Sequence, residues 1–213
     1  MTETMEAVVG AGEFAVRAHR LTVGGAAVPF RQSPHGGARM KPLYLVIHYT
    51  AGLSATSAMN WFLDPRARAS AHLVIGRQGA ATQLMGFDRA CWHAGQSAWK
   101  GLDGLNGHSI GIEIVNAGKL AKGPGGRWQT WTGEAIPDSE VVVARHRNEA
   151  VEAGWHAYTR EQIAAVVEIG SALHTTYGFR DVLGHEDIAP RRKVDPGPAF
   201  PLRSVAARIL GRA

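Results

Sequence analysis

Two short apolar runs decide what this chain can become. LYLVIHYT (43–50) and SIGIEIVN (109–116) show almost no polar alternation. Strands of that kind are buried on both faces, so they belong inside a central sheet that other elements cover. The covering elements are legible beside them. SATSAMNWFLDP starts on a Ser cap at Ser54 or Ser57 and stops at Pro65, which predicts a short helix. AHLVIG (71–76) and ATQLMG (81–86) flank Arg77-Gln78-Gly79-Ala80 and predict a hairpin. Thr159 and Gln162 have capping-box spacing ahead of the longest helix, and Gly178 is its natural terminator. Ile163, Val166, Val167, Gly170 and Leu173 give that helix one apolar stripe. DVLG (181–184) reads as a short strand and PLRSVAARIL (201–210) as a closing helix. The fold class that follows is α/β, a single domain with a central mixed β-sheet flanked by helices.

At 213 residues the chain suits one well-buried domain. Residues 1–40, broken by Gly24-Gly25, Pro34 and Gly36-Gly37, predict an N-terminal arm ahead of a main domain over 41–213. Within that domain, 117–157 is a long insertion with no strong helical period. Segments of that length are usually functional or disordered, and Trp128, Trp131 and Trp155 argue against disorder. The insertion is therefore expected to wall a substrate groove.

Composition removes several alternatives. No apolar run approaches the ~18 residues that would span a bilayer. The first residues lack the basic and apolar pattern of a secretory signal, so a cytoplasmic protein is expected. A single cysteine, Cys91, excludes an internal disulfide framework. The net charge of +5 favours anionic partners, but the cations are scattered and no basic helix stands out. Nucleic acid is not an expected partner.

Chemistry concentrates in GHEDIAPRRKVDPGPAF (184–200). Pro190, Pro196 and Pro198 oppose a helix and make this a stiff loop, with Arg191, Arg192 and Lys193 set between His185 and Asp195. His48 ends the first buried strand, and His185 follows DVLG. Each histidine alone is more readily a hydrogen-bonded structural residue than a ligand. With Asp195 they become two imidazoles and a carboxylate with a fourth position open, a composition that suits catalytic zinc. Glu113 lies inside a strand that otherwise reads as core. A buried carboxylate costs several kcal/mol unless it is paired, metal-associated or protonated, which points to function.

LVIHYTAG, SAHLVI, CWHAG, NGHSIGIEIVNAG and GHEDIAPRRKVDPGPAF, five motifs in order from about residue 40 to 201, resemble the zinc-dependent N-acetylmuramoyl-L-alanine amidases of the type-2 class. That superfamily includes AmpD-like recycling enzymes, phage lysozyme-type amidases and peptidoglycan recognition proteins. The resemblance implies that 41–213 is a catalytic domain and that Zn2+ is held by His48, His185 and Asp195. It implies Glu113 and Lys193 as catalytic residues, and His93, Arg192, Trp92 and Tyr49 as substrate-binding residues. It also implies peptidoglycan or soluble muropeptides as partners, and a monomer, acting as a recycling enzyme or as an endolysin released to the wall. A catalytically silent peptidoglycan-binding module is the alternative, although all three ligand positions and Glu113 are present. Arg191 stands where the family commonly has Gly.

Overall fold

The computed structural model describes residues 12–212. Along the chain come β1 (Phe14–Arg17), β2 (Arg20–Val23), β3 (Tyr44–Tyr49), α1 (Ala55–Leu63), β4 (Leu73–Ile75), β5 (Ala81–Gln83) and β6 (Ser109–Ile114). Next are β7 (Lys119–Lys122), β8 (Trp128–Gln129), β9 (Val141–Arg145) and β10 (Glu152–His156). The last elements are α2 (Arg160–Tyr177), β11 (Asp181–Gly184), α3 (His185–Ile188) and α4 (Leu202–Ile209). Five strands form the central sheet in the order β11-β3-β6-β4-β5. The first four run parallel and β5 is an antiparallel edge, which makes the sheet mixed.

The two apolar runs conceal an alternation that their composition hides. Side chains of a strand point to opposite faces in turn. Leu45 and Ile47 of β3, with Ile110, Ile112 and Ile114 of β6, join the main core against Val166, Ile169 and Leu173 of α2 and Ile209 of α4. Tyr44 and Val46 face the other way, into a second cluster with Leu105, Leu183 and Ile188. Burying each such aliphatic side chain contributes ~1.5–3 kcal/mol. His48 and Glu113 fall on the alternate positions, away from α2, and the parallel register sets them side by side.

Local rules set the ends of α2. Thr159 Oγ1 accepts from the Gln162 amide and Gln162 Oε1 from the Thr159 amide, both at 3.1 Å. Gly178 closes the helix at φ 65°, a left-handed conformation that glycine adopts without strain. Gln162 Nε2 also donates to Val115 O at 2.7 Å, tying the start of α2 to the end of β6.

Two regions differ from the sequence reading. Residues 12–40 are not peripheral: Phe14, Leu21 and Val28 belong to the main core. The segment broken by glycines is a hairpin laid against α2. The insertion is not irregular either, but a four-stranded antiparallel sheet in the order β8-β7-β10-β9. Its three tryptophans have three fates. Trp155 is fully buried and donates to Ala144 O, while Trp128 is half-buried beneath the Lys122 ammonium, 3.7 Å from its ring centre. Trp131 alone is exposed. Among the described residues no helix is long and apolar enough to cross a membrane.

Candidate active site

The site lies at the carboxyl ends of the parallel strands, where open α/β sheets place their ligand crevices. β3 presents His48 one residue before its end. β6 presents Glu113 at the paired register position, and β11 runs out at Gly184, directly before His185. The loop after α3 returns Asp195 to the same point. Its backbone carbonyl accepts from the Glu186 amide at 2.9 Å.

Three ligand atoms converge there. His48 Nδ1 and His185 Nδ1 are 2.9 Å apart, and each is 3.0 Å from Asp195 Oδ2. All three residues are buried. Tetrahedral zinc with bonds of 2.0–2.1 Å would space its ligand atoms at about 3.3 Å, so a small opening of this triangle matches.

The protons support a cation at the centre. His185 Nε2 lies 3.0 Å from Ala94 O, which can only accept, so the neutral ring carries its proton there and leaves Nδ1 bare. For His48 the assignment runs through a relay. Ser109 Oγ donates its one proton to Leu105 O at 2.6 Å. His93 Nε2, 3.2 Å from Ser109 Oγ and 3.3 Å from Ser109 O, must then be a donor. His93 Nδ1 is therefore an acceptor, and the proton between it and His48 Nε2, 2.9 Å away, belongs to His48. His48 Nδ1 is bare as well. Burial, and next the neighbouring His185, hold the His48 pKa down at about 4, and burial also depresses His93 well below the usual range. Two lone pairs and a carboxylate oxygen meet at one point with no proton to reconcile them. The residues present fit zinc.

Glu113 completes the site. One of its carboxylate oxygens is buried without a hydrogen-bond partner. Burial and then the charge of Asp195 raise its pKa well above the ordinary value, while Lys193 opposes the shift. Glu113, His185, Lys193 and Asp195 open onto one cavity of about 930 Å³, lined also by Tyr49, Trp92, His93 and Arg192. The Arg192 guanidinium donates to Ala94 O and Gln96 O. His93 touches the cavity but is mostly engaged behind His48. Gly111 makes room for it, since a Cβ at that position would meet the His93 ring at 2.4 Å.

Sequence reasoning missed Trp61, exposed on α1 and lining this cavity. It also missed the relay through Ser109. Gly107-His108-Ser109-Ile110-Gly111 has the spacing of a serine-hydrolase elbow, but Ser109 is fully buried at the start of a strand, with its hydroxyl committed to Leu105. It is no nucleophile.

Comparison with known proteins finds amidases both by sequence and by fold. The chain is 30% identical to AmpD, a 1,6-anhydro-N-acetylmuramyl-L-alanine amidase of Escherichia coli, over 200 residues that cover 84% of this chain and 88% of AmpD. It is also 30% identical to the N-acetylmuramoyl-L-alanine amidase AmiD of Escherichia coli, over 78% of this chain, and spans about half the length of that relative (53%). A solved AmiD structure, a complex with the substrate anhydro-N-acetylmuramic acid-L-Ala-D-γ-Glu-L-Lys, superposes with a TM-score of 0.59. The superposition covers 92% of this chain and 65% of that one at 27% identity. The crystal structure of a selenomethionine AmpD derivative gives the same TM-score over 84% of this chain and 94% of that one, at 26% identity. Residues 38–198 match the family described as N-acetylmuramoyl-L-alanine amidase, and the chain belongs to that family.

Proposed function

We propose that this chain is a zinc-dependent hydrolase that cleaves the amide joining the lactyl group of N-acetylmuramic acid to L-alanine of the stem peptide. The observation that carries the reading is the triangle of His48, His185 and Asp195 beside the unpartnered carboxylate of Glu113. Zinc held there supplies Lewis acidity, which polarises a carbonyl and makes water a nucleophile at neutral pH. The protein does the rest. Ala94 O and His93 fix the two imidazoles in the tautomers that bind metal. Glu113 takes the proton of the attacking water and delivers it to the departing amine, as base and then acid. Lys193 lines the same cavity and would bring its ammonium to the carbonyl oxygen as negative charge builds there. Arg192 lines the same cavity, its guanidinium donating to Ala94 O and Gln96 O.

Incubation with the anhydro-muropeptide bound in the AmiD structure tests the reading. The expected products, by mass spectrometry, are the free anhydro-sugar acid and an intact stem peptide starting at L-alanine. Cleavage within the peptide, or none by the zinc-loaded protein, would refute it; retention of substrate without cleavage would favour a silent binding module.

The groove also supports a polymeric substrate. Trp61, Trp92 and Trp131 are 55%, 43% and 76% exposed around the one cavity. Trp131 is held in place by its Nε1 donating to Ala51 O at 2.7 Å, so its ring is fixed while its face stays open. Exposed, ordered aromatic faces around a cleft suit the apolar faces of sugar rings. Trp131→Ala is expected to slow stem-peptide release from intact sacculi roughly tenfold, a loss of ~1.4 kcal/mol, with less effect on soluble fragments. Equal loss on both substrates would place Trp131 at the scissile bond rather than along a glycan.

A further inference from the structure

The insertion reaches the metal-binding loop by a second route that the groove does not use. His146, just after β9, is buried, and its Nε2 is 2.6 Å from Glu186 Oε2. The Asn148 amide donates to His146 Nδ1 at 3.1 Å, so the imidazole proton sits on Nε2 and points at the carboxylate. Glu186 in turn straddles Asp195. Its amide donates to Asp195 O at 2.9 Å, and its Oε2 accepts from the Gly197 amide at 3.2 Å. One residue thus pins the backbone on both sides of the carboxylate that completes the triangle. The same strand pair contributes more. Trp155 of β10 lies against Gly197, where a Cβ would meet its ring at 2.6 Å, and Arg147 bridges Glu186 and Asp187. Tyr158, following β10, donates to Pro196 O at 2.8 Å.

We infer that the base of the insertion is part of the metal site: His146 is a positioning residue that sets Asp195 through Glu186. The inference rests on the zinc reading above. The insertion then has two halves. The tip around Trp131 walls the groove, and the base, β9 and β10, clasps the loop that carries His185, Lys193 and Asp195. A ligand held by such outer contacts binds its metal tightly because little order remains to be imposed. His146 itself has no access to the groove and touches neither ligand nor substrate.

The test compares wild type with His146→Ala, His146→Asn and His146→Gln as full-length proteins. Three quantities are read: zinc affinity by competition with a chromogenic chelator, the visible absorption of the Co2+-substituted protein, and the melting temperature of the metal-free form. Gln retains an N–H donor at the reach of Nε2, whereas Asn and Ala do not. His146→Ala and His146→Asn are expected to weaken zinc about 10- to 100-fold and to alter the tetrahedral Co2+ bands. His146→Gln should recover most of both. If the Ala protein does not fold, the Asn and Gln pair carries the comparison. Wild-type zinc affinity in all variants would overturn the clasp alone, as would losses in Asn and Gln proteins that are equal and follow the metal-free melting temperature. A wild-type protein that binds no zinc would overturn the metal reading and the clasp together.

Discussion

Glu113→Gln is expected to lower kcat by roughly 10²- to 10⁴-fold, the range of a general acid–base group, while zinc content stays at one per chain. The substitution keeps the shape of the side chain and removes only its ability to take and give a proton. Glu113 is well placed to show this, because β6 holds it rigidly between two isoleucines committed to the core. Stability should hold or rise. Burial works against the charged carboxylate, and its buried oxygen has no partner to offset the cost. The measurement is steady-state kinetics on the anhydro-muropeptide beside elemental analysis and thermal melting. An unchanged kcat would remove Glu113 from the chemistry. A collapsed melting temperature would make it a structural residue.

Chelation should abolish turnover altogether, and zinc should restore it. A metal that binds only the folded protein also stabilises it, by ~4 kcal/mol at a free concentration 1,000 times its Kd. For a domain of this size that is roughly 8–16 °C in melting temperature, lost on stripping and regained on reloading. Asp195→Ala should reproduce the stripped state, since it leaves two imidazoles and no anionic ligand. Full activity in chelator, with no zinc on elemental analysis, would end the metal mechanism.

What could be read from the sequence followed the range of the forces involved. The β3 and β6 runs, the Thr159–Gln162 box and the Gly178 stop obey rules that act within a few residues, and the structure contains each of them. The meeting of His48, His185 and Asp195 was legible because strand ends and a proline-stiffened loop leave few places for them to point. The insertion was not. Its strands are short and half-exposed, so they carry no continuous apolar signal, and Val142 and Val143 are both exposed. An indole in sequence gives no sign whether it will face sugar or core, so Trp155, buried against Gly197, was grouped with Trp131. His146 was one histidine among ten. Its partner Glu186 lies 40 residues away, a pairing that no local pattern announces. The N-terminal hairpin was missed because its strands are four residues each, too short for their alternation to stand out among the surrounding glycines.

The distance along the chain between the ligands has a consequence for how the protein is made. His48 and His185 are 137 residues apart, and Asp195 lies ten further on. In a zinc finger the ligands are near neighbours, and the ion can organise a short peptide as soon as it is synthesised. Here a nascent chain has only His48 of the set until 137 more residues have been translated. The entropy of closing so long a loop has to be met by packing of the sheet and α2, before any ion can be captured. On the zinc reading proposed above, the ion would be the last part fitted, after the apolar core around β3, β6 and α2 has formed.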